Sequence, residues 1–105
     1  MIKLDDAEKW RIDNGFASMY DINNGDCENF AIAFVATIPG GEVIGTDNVD
    51  GWDSDYPGHI WIYDGKRHYD SECLDGVEEW KNLPFFVRAI KRWEQFKAAQ
   101  QAAVG

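Results

Sequence analysis

At 105 residues and 12.0 kDa the chain suits a single domain, 1–105, built around one core. Hydrophobic residues make up 45% of it and aromatics 14%, which excludes a disordered chain. A net charge of -9 at pH 7 repels phosphate backbones and anionic lipid, so neither nucleic acid nor a membrane surface is an expected partner.

The charge is unevenly placed. Residues 81–105 carry Lys81, Arg88, Lys91, Arg92 and Lys97 against Glu94 alone, which predicts a basic C-terminal helix lying on an acidic body. Cys27 and Cys73 are the only cysteines, no basic-then-apolar leader opens the chain, and no apolar run approaches the ~18 residues a membrane span needs. A soluble, cytoplasmic protein with free thiols is expected.

In chain order, LDDAEKWRID has an acidic first turn and Leu4, Ala7 and Trp10 at helical spacing, and it stops at Asn14-Gly15, predicting a helix over 4–13. Residues 16–26 read as a short helical turn and then a loop ending in NNGD. From Cys27 the apolar residues Phe30, Ala31, Phe34, Val35 and Ile38 line one helical face, ended by Pro39-Gly40-Gly41. GEVIG is a strand, and TDNVDGWDSDYPG (46–58) a polar loop. Its carboxylates do not fit a calcium loop, because placing Gly51 sixth puts Thr46 first and Pro57 twelfth.

HIWIY and RHYDS flank Asp64-Gly65, a hairpin signal. DGVEEWKN reads as a short helix and LPFFVRAIKRWEQFKAAQQ as a longer one, with Phe86, Ala89, Ile90, Trp93 and Phe96 on one face. Trp10, Trp80 and Trp93 then belong to the core, whereas Trp52 and Trp61 are the aromatics expected to line a substrate cleft. The order of elements is α+β, with the Cys27 helix packed on a small antiparallel sheet between N- and C-terminal helices.

With Asp64 and Gly65 as the whole turn, Tyr63 pairs with Lys66, Trp61 opposes His68 and His59 opposes Asp70. Opposed residues share a face with Cβ atoms ~4.5–5.5 Å apart, so an imidazole–carboxylate pair is expected there. A thiol performing acyl transfer needs an imidazole to take its proton and a group fixing that imidazole's tautomer, and Cys27, His59 and Asp70 are the candidates for these roles. A helix start supplies unpaired N–H groups that lower the thiol pKa, against the opposing charge of Asp26 and Glu28. Zinc held by Cys27, His59, His68 and Cys73 lacks any Cys-x-x-Cys or His-x-x-x-His spacing, so no metal and no cofactor is expected.

Gly25-Asp26-Cys27 opening the central helix, then His59-Ile60-Trp61, then Tyr69-Asp70, resembles the papain-like cysteine peptidase superfamily, and more closely its transglutaminase-like branch. The resemblance covers about residues 24–72. It implies a cysteine nucleophile acting on amide or thioester bonds of a protein or peptide substrate, by peptidase, amidase, deamidase or transglutaminase chemistry. The chain is short for that superfamily, and its loop before Cys27 holds no glutamine as oxyanion donor, leaving Asn23 and Asn24 as candidates. The competing expectation is a non-catalytic acidic inhibitor or adaptor, of phage or mobile-element type, that occupies a basic protein surface.

Overall fold

The computed structural model describes residues 1–53 and 56–104, the side chains of 103 and 104 excepted. Helix α1 (Leu4–Asp13) carries acids in its first turn and Arg11 in its last, matching the helix dipole. Its buried face is Ala7 with part of Trp10, while Leu4 is exposed; Ile2 takes the expected core place and is tied to the sheet through its N–H to the Leu74 carbonyl (2.9 Å). Helix α2 (Met19–Asn23) is capped by Ser18, whose hydroxyl accepts from the Asp21 N–H. Helix α3 (Cys27–Phe34) tightens into a 3-10 turn over Val35–Thr37 before Pro39.

The strands are β1 (Glu42–Gly45), β2 (Ile60–Tyr63), β3 (His68–Asp70) and β4 (Cys73–Val77), antiparallel throughout and in the order β1-β2-β3-β4. The architecture is α+β, with a small antiparallel sheet among helices. Two expectations are corrected. DGVEEWKN is no helix: its first residues complete β4, and only Trp80–Asn82 form a 3-10 turn. Gly76 takes φ +82 there, which a helix does not accommodate, and the Tyr69 ring packs so closely that a Cβ would come within 2.6 Å of it. Part of the expected polar loop, residues 54 and 55, lies outside the described residues.

The second correction concerns the hairpin. The Asp64 N–H donates to the Arg67 carbonyl (3.2 Å), so the turn centres on Gly65 and Lys66, with Gly65 at φ +95 in the first central position. The Asp64 carboxylate holds it, accepting from the N–H groups of Lys66 (2.8 Å) and Arg67 (2.7 Å) and from the Tyr69 hydroxyl (2.8 Å). Tyr63 therefore pairs with His68 rather than Lys66.

The sheet separates two apolar clusters. Phe30, Ala31 and Phe34 of α3 pack with Ile22, Ile62 and Tyr69. Trp61 packs with Leu83 and Phe86, the latter from α4 (Pro84–Val104), and with Trp80 and Ile44 at the margin. Alternation along β2 sends Trp61 and Ile62 to opposite sides. Beyond Trp93 the described side chains of α4 are exposed, Phe96 included at 52%, so the expected apolar face is covered only over its first half. No helix among the described residues is long and apolar enough to cross a membrane.

Candidate active site

Cys27 is the first residue of α3, His59 directly precedes β2, and Asp70 ends β3. The His59 ring is fully buried, and its Nε2 lies 2.9 Å from Asp70 Oδ2. With Tyr63 opposite His68, counting outward sets His59 against Glu72 and Trp61 against Asp70, not the directly opposed register expected. A slip of two residues nevertheless keeps every side chain on its face, and diagonal neighbours ~7–8 Å apart lie within reach of long side chains. The same diagonal brings Trp61 Nε1 to donate to His68 Nδ1 at 2.8 Å.

Asp70 is fixed on both sides, since its Oδ1 accepts from the Glu72 N–H at 2.9 Å. The other ring nitrogen of His59, Nδ1, is buried without a partner in hydrogen-bonding geometry. It is the nitrogen left for Cys27, whose thiol is the second titratable neighbour of the ring. Catalytic hydrogen bonds are often misaligned before substrate binds. Burial drives the His59 pKa down, but Asp70 and Cys27 together raise it above its ordinary value. Burial likewise pushes the Cys27 thiol up, and the His59 ring with the backbone N–H groups of Ile60 and Glu28 outweighs it, leaving the thiol below its ordinary value. Cys73 behaves in the opposite way: burial and then the Asp70 charge raise its pKa.

A cleft of about 660 Å³ opens over this pair, with Cys27, His59, Thr46, Asp47, Trp52 and Tyr56 in its lining. Trp52 is thus where the sequence reading puts it. Trp61 is not: it is 0% exposed, belongs to the core and does not line the cleft. Nor do Asn23 and Asn24 line it. Asn23 is buried and its Nδ2 donates to Glu72 Oε1 (2.8 Å), while Asn24 Nδ2 donates to the Tyr20 carbonyl (3.0 Å). Helix ends leave carbonyls unsatisfied, and an amide at a C-cap satisfies one of them.

Sequence reasoning missed the support behind the histidine. Glu72 takes two hydrogen bonds from the Arg88 guanidinium (2.7 and 2.8 Å) as well as the one from Asn23, joining α4, the β3–β4 turn and the approach to α3. Phe85 stacks on the His59 ring at 4.2 Å and 11°. These partners are far apart in sequence, and no local pattern announces them. Among the described residues no group of three or more His, Cys, Asp or Glu is arranged to hold a metal ion. No family model matches the chain, nor does any curated protein or solved structure.

Proposed function

We propose that the protein is a small thiol enzyme of papain-like, transglutaminase-like character, performing acyl transfer or amide hydrolysis on a protein or peptide. The observation that carries the reading is the buried His59–Asp70 pair at 2.9 Å beneath a cleft that also holds the Cys27 thiol. His59 takes the thiol proton, and the sulfur attacks the substrate carbonyl carbon, driving its π electrons onto oxygen. The N–H groups of Glu28 and Ile60, which already favour the thiolate, are the donors we assign to that oxyanion. The tetrahedral adduct collapses to a thioester as His59 returns the proton to the leaving group. Water or an amine then attacks the thioester, with His59 again as base; the second adduct collapses by breaking the C–S bond, releasing the acid or amide, and His59 returns its proton to the Cys27 sulfur while Asp70 holds the ring's tautomer throughout.

The test is alkylation by iodoacetamide from pH 5 to 10 with each cysteine followed by mass spectrometry. Cys27 should titrate below the ordinary thiol value of about 8.5 and Cys73 above it. His59→Ala should remove the difference. Two equally sluggish thiols would overturn the reading and leave the adaptor, whose mark is salt-sensitive binding to a basic protein that survives Cys27→Ala.

A further inference from the structure

We infer that the cleft selects substrates carrying a cationic side chain, Lys or Arg, on the acyl side of the bond attacked. This rests on the acyl-transfer reading and names the substrate class of the same site. The lining around Cys27 and His59 includes Asp26, Glu28, Asp47 and Asp53, and among the described lining residues there is no Lys or Arg. The acids are not the whole case. The cleft floor holds a fully buried imidazole whose Nδ1 has no partner in hydrogen-bonding geometry, a polar atom that the Cys27 thiol satisfies once a bound substrate brings the two into line.

The wall is aromatic as well as acidic. Trp52 and Tyr56 stand 5.2 Å apart at 52°, and Trp52 is braced edge-to-face against Phe86 at 4.9 Å. Guanidinium and ammonium groups are attracted to such ring faces, and a neighbouring carboxylate adds to the attraction. An anionic side chain meets like charge from these carboxylates. The nucleophile itself gains from a cation: carboxylates beside a cysteine disfavour its thiolate, and a positive side chain bound among them offsets that cost in the substrate complex, where the thiolate is needed. The site then discriminates by charge at the moment of reaction as well as on entry.

The experiment uses three peptidyl acyloxymethyl ketones, identical except that the residue beside the reactive ketone is Arg, citrulline or Glu. Citrulline keeps the shape of Arg without its charge. The second-order rate of alkylation at Cys27 is read by mass spectrometry, with Cys73 as reference in the same molecule. Arg should outpace citrulline by about 10-fold or more, with Glu slowest, and the ratio should shrink toward one in Asp26→Asn/Asp47→Asn. Asp47→Asn alone supplies the comparison if the double variant does not fold. Equal rates for Arg and citrulline at a Cys27 that still far outruns Cys73 would overturn the substrate class and spare the acyl-transfer reading. A Cys27 no faster than Cys73 toward all three would overturn both.

Discussion

Asp70 commits one carboxylate oxygen to the imidazole and the other to a backbone N–H, so its side chain is held in place independently of His59. Asp70→Asn keeps that shape but can hold the ring in the wrong tautomer and removes the charge that supports the imidazolium. Cys27 alkylation at pH 7 and any acyl-transfer rate should fall, by up to about 10⁴-fold if the cost matches that in a serine-based triad, while the melting temperature moves far less. Cys27→Ala should abolish turnover at a stability cost under about 1 kcal/mol, because a half-buried thiol fills little core volume. Glu72, held by Arg88 and Asn23, should matter more to stability. Burial pushes its carboxyl up, but Arg88 and then Asn23 outweigh it, so its folded pKa lies below the ordinary 4.5. A depressed carboxyl pKa contributes stability above the unfolded value and loses it as pH falls through the folded one. Glu72→Gln should therefore cost about 2 kcal/mol at pH 7, and the gap from the parent protein should close only below pH ~4.5, as urea unfolding at pH 7, 4.5 and 3 would record.

At the level of elements, the hairpin shows what a sequence discloses and what it withholds. Alternation in HIWIY and RHYDS assigns each residue to a face, and the faces are right. The turn centre is decided instead by the Asp64 side chain, which draws the chain one residue further round by accepting two backbone N–H groups. Such a side-chain-to-backbone choice leaves no trace in hydrophobic periodicity. The His59–Asp70 contact was legible because it depends on parity more than on register. DGVEEWKN misleads for a related reason: its helix-forming glutamates say less than Gly76, whose positive φ and missing Cβ admit the Tyr69 ring. Gly76→Ala should destabilise by about 2 kcal/mol or more, measured by chemical denaturation, since it combines backbone strain with a steric clash. The Cys27 helix was readable throughout, its stripe and its stop being local. The partial exposure of α4 was not, because whether an apolar face is covered depends on the rest of the fold.

Taken as a whole, the molecule measures 51 × 30 × 19 Å, and its described residues form two apolar clusters rather than the single core its length suggested. The thiol rides on a helix rooted in one cluster, and the imidazole rests on the aromatics of the other. Phe86→Ala should cost about 3–5 kcal/mol, and in the fraction that remains folded it should also slow Cys27 alkylation, because it empties the bed beneath His59. That bed has a kinetic meaning too. The His59 ring stacks with Phe85 at 4.2 Å and 11° and with Trp61 at 5.8 Å and 21°. Stacked on two aromatic rings and anchored at Nε2, the imidazole is held in one orientation. In the proposed reaction it would act as a stationary proton relay, so that the reacting atoms come to Nδ1 and the timing of each half-reaction falls to the substrate's own movement in the cleft.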